Sequence, residues 1–311
     1  MAVWTAAMTF CTKAKAQEDS IRANRYVMRS TMIGAGHNNV FETYLSPLEY
    51  NGPEVRFMHE SMRMTRLLQG NVSVQNIIQV QGAYTENISG TANTYAGMIN
   101  WNCALHYQFR EVAPGLKLLA GPYIGINTGV VYNSRNSNNP AQAKAYGGVG
   151  FSGAAIYKVR IKQYPLTIRY QANLPLAGAM FSPQYGESYY EMFSVGNHKG
   201  NVKFTSLHNN PSLFQMLTVD FPIRKVIMRA GYVCDIQQSK VNGLKSHSYS
   251  HDFMIGFVRN IYLLRGKNRI SMSEKNNSIL ISHETSQYII SADWLALRNL
   301  VHPRRCIWQY A

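Results

Sequence analysis

Apolar and polar side chains alternate along an unusually long stretch of the sequence, residues 93–110. Ile99, Trp101 and Leu105 share one parity, whereas Asn100 and Asn102 lie on the other. A period of two predicts a β-strand with one apolar face and one polar face. Strands of soluble proteins usually have about five or six residues, so a strand roughly three times as long needs a structural reason.

The same alternation recurs in further segments as far as residue 264, and the connectors between them are of two kinds. Tight turns contain proline or glycine, as at 112–115 and 163–165. Longer polar connectors are predicted at 133–142, 182–191 and 238–250. Short turns at one end and longer loops at the other are typical of outer-membrane barrels.

These patterns predict an all-β fold, an antiparallel up-and-down transmembrane β-barrel with about 10–12 strands. Strands that cross a bilayer at a tilt are long, and lipid tolerates no open sheet edge. Glycines expected to face inward, such as Gly121, Gly125 and Gly150, suit strong curvature and a crowded lumen. A soluble closed barrel or a β-sandwich is the alternative fold, although a sandwich repeats its turns every 8–12 residues or so.

Composition supports a barrel and argues against nucleic-acid binding. Of the 311 residues, 46% are hydrophobic and only 15% are charged, against roughly 25% charged residues in typical soluble domains. The mean hydropathy is nevertheless −0.22. The net charge is +15, but lysine and arginine are scattered singly rather than concentrated in a patch, so we expect no nucleic-acid partner.

Three segments are predicted along the chain. Residues 1–16 resemble a secretory signal peptide that ends in Ala14-Lys15-Ala16; the basic start of such a signal is missing, so we expect it to be incomplete at its start. Residues 34–267 form the predicted barrel domain. Residues 268–311 form a tail, partly helical or disordered, in which Ser291 would begin a short amphipathic helix.

The parity of each predicted strand assigns side chains to the two faces of the barrel. Charges inside a narrow barrel pair with each other or line a pore, and for this size we expect paired charges that block the lumen. The predicted lumen charges are Glu60, Arg110, Lys158, Arg160, Arg169, Asp220, Arg229 and Asp235. The predicted lipid-facing aromatic residues are Tyr95, Trp101, Tyr107, Phe109, Phe151, Tyr157, Tyr170, Phe221, Tyr232, Phe253 and Phe257.

One cluster of residue types could carry hydrolytic chemistry. Ser250, His251 and Asp252, with His247 nearby, combine a hydroxyl, an imidazole base and an orienting acid. Adjacency in sequence does not create the geometry of a triad, so these are candidates without a predicted catalytic role. No metal site is predicted, since no metal-type spacing of His or Cys occurs, and no cofactor is expected.

Several blocks of the sequence resemble a known family. They are TYLSPLEYNGPEVRFMHESMRM, NNPAQAKAY, RYQANLPLAGAMFSPQYGESYYEMF, FTSLHNNPS and VCDIQQSKVNGLKSHSYSHDFMIGFVRN. They are similar to domain-of-unknown-function family 3316, uncharacterised secreted, barrel-like proteins of gut anaerobes with two membranes. The resemblance covers about residues 34–267 and implies export and an outer-membrane location, but no activity.

The leading functional prediction is therefore a non-enzymatic outer-membrane barrel of a Gram-negative-type cell. Its role would be structural, or the passage or capture of a ligand through a polar, charged lumen. Expected partners are outer-membrane lipid and lipopolysaccharide, with an unidentified small ligand or envelope protein left open. The alternatives are a barrel hydrolase acting on lipid or lipopolysaccharide and a soluble periplasmic β-barrel binding protein.

Overall fold

A computed structural model describes residues 26–109, 112–161, 164–196, 200–223 and 226–262. The predicted signal peptide, the tail and Arg110 lie outside these ranges. Within them, no helix combines the length and the apolar character needed to cross a bilayer. The elements are β1 (Tyr26–Glu42), β2 (Glu49–Met64), a 3-10 turn (Leu67–Gly70), β3 (Val72–Asn87), β4 (Asn93–Gln108), β5 (Leu116–Asn133), β6 (Ala141–Ile161), β7 (Tyr164–Phe181), α1 (Tyr189–Phe193), β8 (Val202–Ser206), β9 (Leu213–Ile223), β10 (Val226–Val241) and β11 (Leu244–Tyr262).

The strands close into an antiparallel barrel, which confirms the predicted fold class. Strands adjacent in sequence pair with each other, except β8 with β9; β7 also pairs with β9, and β1 pairs with β11, so that no open edge is left around the ring. Ten strands form this ring and β8 is an additional short strand. Nine strands have 16 to 21 residues, long enough to cross a bilayer at a tilt.

The ring is irregular where β7 meets β8 and β9. Residues 167–173 of β7 pair with β9, and residues 177–181, nearer the C-terminal end of β7, pair with β8. Pro211 lies in the connection between β8 and β9, where it has no N–H to donate to a ladder. A bulge at Leu176 shifts the register between β6 and β7, so the inward-facing parity of β7 changes there.

Side chains alternate between the two surfaces of the wall as the sequence predicts. On β4, Ile99 and Leu105 are 50% and 40% exposed on the outward row that contains Trp101. Asn100, on the inward row, is 2% exposed. Outward rows are therefore mainly apolar, and inward rows carry most of the buried polar groups.

The two rims of the barrel differ. At the rim that we call the loop end, connectors span residues 43–48, 88–92, 134–140, 182–201 and 242–243. At the opposite rim, the terminus end, β1 begins, β11 ends and the connectors span 65–71, 109–115, 162–163 and 224–225. The longest connector, with α1, thus belongs to the loop end.

Candidate functional site

The lumen contains most of the predicted charges. Glu60, Arg169, Arg229 and Asp235 are buried inside the barrel. Asp220 lies beside Arg229 on the same inner surface. The other two described residues of the predicted set, Lys158 and Arg160, lie on the inward parity of β6 at the terminus end, where Arg160 is exposed.

Glu60 on β2 organises the first buried charge cluster, which we call the Glu60 cluster. Its two carboxylate oxygens lie 2.6 Å from Arg169 Nη1 and 2.6 Å from Arg229 Nη1, so one acid bridges two guanidinium groups across the lumen. Asp220 pairs with Arg229 from the adjacent strand, 2.8 Å from its Nη2, and Gln75 donates to Glu60 at 2.7 Å. Two acids therefore balance two arginines, as a buried ionic group requires.

Amide and hydroxyl side chains extend this cluster across the barrel. Gln75 on β3 and Gln171 on β7 exchange amide hydrogen bonds of 2.9 Å in both directions. Ser152 donates to Asn173 at 2.7 Å, and His106 Nε2 lies 2.7 Å from Ser152 Oγ. The network links opposite walls, so it fixes the cross-section of the barrel at this level.

A second cluster, which we call the Arg56 cluster, surrounds Arg56, a residue absent from the predicted lumen charges. Its guanidinium lies 2.7 Å from Asp252, 3.0 Å from Glu54 and 3.3 Å from Asp235. Ser250 accepts from Arg56 at 2.8 Å and donates to Glu54 at 2.7 Å. Three carboxylates thus face one guanidinium, and this level of the lumen carries an excess of acidic groups.

An apolar layer separates the two clusters. Met58 lies between Arg56 and Glu60 on the inward row of β2, and all three are fully buried. The layer consists of Met32, Met58, Ile77, Phe214, Met216, Val233 and Met254. Flexible methionine side chains fill irregular space well, and together with the two clusters they close the middle of the lumen.

A cavity with both polar and apolar side chains in its lining lies above the Arg56 cluster, at the loop end; we call it the vestibule. It has a volume of about 80 Å³ and continues into a deeper cavity of about 40 Å³. The residues that line both are Asn127, Tyr146, Pro175, Ser212 and Gln237. The vestibule also contains the Lys144–Glu42 ion pair. The same ammonium group of Lys144 donates a hydrogen bond of 2.7 Å to Ser246.

Two residues that line the deeper cavity each have a buried polar atom without a protein partner among the described residues. These atoms are Asn100 Oδ1, an acceptor, and Asn173 Nδ2, a donor. A hydroxyl group can donate to such an acceptor or accept from such a donor. The deeper cavity can therefore bind water or the hydroxyl group of a small solute.

The connector with α1 is fixed to the rim of the vestibule. Ser188 caps α1, and its hydrogen bonds hold the pKa of Glu191 below its usual range. Tyr44 donates to the Glu187 carbonyl at 2.9 Å, and Ala143 N donates to the Tyr189 hydroxyl at 2.7 Å. Burial raises the pKa of Tyr44 to about 12, so this hydroxyl stays protonated, and a donor, even in moderately alkaline solution.

The predicted lipid-facing aromatic residues lie on the outward rows. Trp101, Phe221 and Tyr232 are half-buried; the others are exposed, namely Tyr95, Tyr107, Phe109, Phe151, Tyr157, Tyr170, Phe253 and Phe257. Tyr84, Tyr95 and Tyr132 are neighbours on three strands near the loop end, with ring centroids 5.3 and 6.4 Å apart.

The structure does not bring the hydrolase candidates together. They lie within β11 and not in a rim loop, because the connector predicted at 238–250 is a two-residue turn at Asn242 and Gly243. Ser250 and Asp252 are buried in the Arg56 cluster, whereas His251 is exposed outside, 2.7 Å from the Tyr232 hydroxyl. His247 bonds to Asn39 on the outer surface. The wall of the barrel therefore separates Ser250 from His251.

The described residues also contain no group of three or more His, Cys, Asp or Glu side chains placed to hold a metal ion. Cys103 and Cys234 are free thiols on outward rows. Nothing in this part of the chain has the donor set of a metal centre.

Comparison with known proteins identifies the family. The profile of the family described as Protein of unknown function (DUF3316) matches residues 3–268, most of the chain. The chain belongs to this family. The resemblance noted in the sequence blocks is thereby confirmed, while the gut-anaerobe origin stays a prediction. A comparison with curated proteins found no match.

Solved structures similar to the DUF3316 chain are outer-membrane β-barrels. The transport unit of the autotransporter AIDA-I from Escherichia coli is 8% identical, with a TM-score of 0.45, over 80% of this chain and 97% of that chain. The translocator domain of the autotransporter NalP from Neisseria meningitidis is 11% identical, with a TM-score of 0.37, over 81% and 96%. Neisserial surface protein A is 11% identical, with a TM-score of 0.28, over 75% and 96%.

Proposed function

We propose that this chain is an exported, integral outer-membrane β-barrel without enzymatic activity, which captures a small polar solute in the vestibule. One observation carries the proposal: a closed wall has apolar side chains exposed on its outer surface and buried polar groups inside. Ile33, Val55 and Ile124 are each more than half exposed. Contiguous apolar surface of this kind is unfavourable in water and favourable against acyl chains.

The rims suggest an orientation. In outer-membrane barrels the short turns face the periplasm and the longer loops face outward. The terminus end would therefore be periplasmic, and the vestibule with α1 would open to the outside. The proposed signal peptide at 1–16 lies outside the described residues.

Capture is favoured over passage because the middle of the lumen is filled. Between the vestibule and the terminus end lie the Arg56 cluster, the apolar layer around Met58 and the Glu60 cluster. Arg56, Met58 and Glu60 have no exposed surface, so a solute that enters the vestibule meets a closed wall of side chains. The unpartnered atoms of Asn100 and Asn173, two residues that line the deeper cavity, would form hydrogen bonds with hydroxyl groups of that solute.

The two alternatives have less support. The predicted hydrolase would need the serine and histidine of its candidate set on one surface, and Ser250 and His251 are on opposite surfaces of the wall. A soluble periplasmic binding barrel would need a polar exterior, and the outward rows are mainly apolar.

To test this, the full chain is expressed in a Gram-negative host, and the outer membrane is separated from the soluble periplasmic fraction. We expect the protein in the outer-membrane fraction, with an electrophoretic mobility that changes on boiling, as for closed barrels. In planar bilayers we expect no steady open conductance, because the two charge clusters block the lumen. A soluble product would refute the membrane assignment, whereas a steady pore current would refute capture and favour passage.

A further inference from the structure

A basic surface lies on the outside of the barrel at the terminus end, across β1, β2 and β11. Arg29, Arg63 and Arg259 are all exposed on outward rows. Arg29 is directly opposite Arg259, and Val27, two residues before Arg29, is opposite Arg63. The three guanidinium side chains therefore project from adjacent positions of one surface patch, which we call the arginine patch.

The arginine patch has no acidic partner in the described part of the chain. Like charges directly opposite on paired strands destabilise a sheet, and the neighbouring outward residues, Thr31, Ser61 and Phe257, are uncharged. The described acids on outward strand rows, Glu49 and Glu86, lie at the loop end. The repulsion between Arg29 and Arg259 thus calls for an external anion.

The depth of the arginine patch indicates which anion. The outward row of β1 runs from Arg29 through Ile33 and Ala35 to Asn39, and a tilted strand crosses the hydrocarbon core in about 9–11 residues. Arg29 would then lie at the level of the headgroups, with apolar side chains directly beside it. The Arg259 guanidinium lies 5.1 Å from the centre of the Phe257 ring, which holds it against the wall.

We propose that Arg29, Arg63 and Arg259 bind the phosphate of an anionic phospholipid in the leaflet at the terminus end. This inference rests on the proposed function, because only an inserted barrel presents the arginine patch to lipid. Guanidinium groups bind phosphate oxygens through paired hydrogen bonds. The acyl chains of the same lipid would contact the outward apolar residues above the patch, which a free phosphate cannot do.

The test reconstitutes the full chain in bilayers of equal parts phosphatidylglycerol and phosphatidylcholine with the same acyl chains. Native mass spectrometry then counts the lipids that stay bound after transfer to detergent. We expect phosphatidylglycerol to be enriched about tenfold on the wild-type barrel. In Arg29→Gln/Arg259→Gln we expect that enrichment to be lost, and in Arg29→Lys/Arg259→Lys to be partly kept.

The matched control is Lys240→Gln/Lys245→Gln, which removes two directly opposed positive charges from the outward rows at the loop end. It should keep the wild-type enrichment. Equal losses in the arginine and lysine variants, or no enrichment on an inserted wild-type barrel, would overturn the site but leave the proposed function intact. A wild-type chain that does not insert would overturn both, and the mobility change on boiling verifies that each variant is folded.

Discussion

At the scale of single residues, the terminus-end half of the lumen depends on Glu60. This carboxylate is fully buried and is the described acid shared by Arg169 and Arg229. A buried ion pair need not stabilise a protein relative to an apolar core, but removing one partner leaves charges unpaired in a medium that solvates them poorly. Glu60 should therefore tolerate substitution less than any exposed acid of the barrel.

We expect Glu60→Gln to lower the free energy of unfolding by about 3–5 kcal/mol, the usual effect of leaving buried charges unpaired. Urea titration of the barrel in lipid vesicles, followed by gel mobility, measures the change. Glu49→Gln is the control: Glu49 is exposed at the loop end, and its replacement should change the stability by less than about 0.5 kcal/mol. Equal effects of the two substitutions would contradict the role of Glu60.

The residues of the lumen could be predicted from the sequence only in part. Arg169, Arg229 and Asp235 were predicted there because each shares the parity of polar residues on its own strand, and Glu60 was predicted as an acid that faces the inward basic residues. Arg56 was missed because the inward row of β2 mixes charged residues with methionines, which hides the alternation. Arg56 lies four residues before Glu60 and therefore on the same face of the strand, which was the sequence feature that indicated a lumen position.

At the scale of elements, β6 shows how glycine makes room for aromatic residues inside the barrel. Gly150 faces inward, and a Cβ atom there would lie 2.5 Å from a ring carbon of Tyr123 and 2.3 Å from the Leu174 carbonyl. Gly147, on the outward row of the same strand, has nothing within 4 Å of that position. Two glycines of one strand thus have opposite environments.

We expect Gly150→Ala to lower the free energy of unfolding by roughly 1–3 kcal/mol, because it overpacks the lumen. Gly147→Ala should be neutral or stabilise the strand by up to about 1 kcal/mol, since alanine has less backbone entropy to lose. Urea midpoints of the two variants in vesicles provide the comparison. If Gly150→Ala is as stable as Gly147→Ala, the lumen has room for a methyl group at position 150 and is not tightly packed there.

The elements themselves were largely predictable, because a period of two persists through most of the long strands. The β10–β11 turn was not, since the polar residues Ser246, Ser248 and Ser250 suggested a loop. Asn242 and Gly243, with φ angles of 53° and 76°, were the overlooked signal of a tight hairpin. The start of β1 at Tyr26, eight residues before the predicted start of the barrel domain, also went unpredicted.

At the scale of the whole molecule, charge is distributed unequally between the rims. The described basic residues near the terminus end are Arg29, Arg63, Arg66, Lys117, Lys158, Arg160 and Arg259. The described acid nearest that rim, Asp220, faces inward and pairs with Arg229. Acids on exposed surface, such as Glu49, Glu86 and Glu191, belong to the loop end, which also carries the lysines Lys240 and Lys245. This asymmetry agrees with an orientation in which the terminus end faces anionic phospholipid.

The central claim is that the outward rows contact acyl chains and the inward rows do not. A nitroxide scan of single cysteines along β4 (Asn93–Gln108), in a cysteine-free chain reconstituted in lipid vesicles, tests it directly. Labels at Ile99, Trp101 and Leu105 should collide readily with oxygen dissolved in lipid, and labels at Asn100 and Asn102 should not. Oxygen access without a period of two, or with the asparagine positions more accessible, would contradict the account.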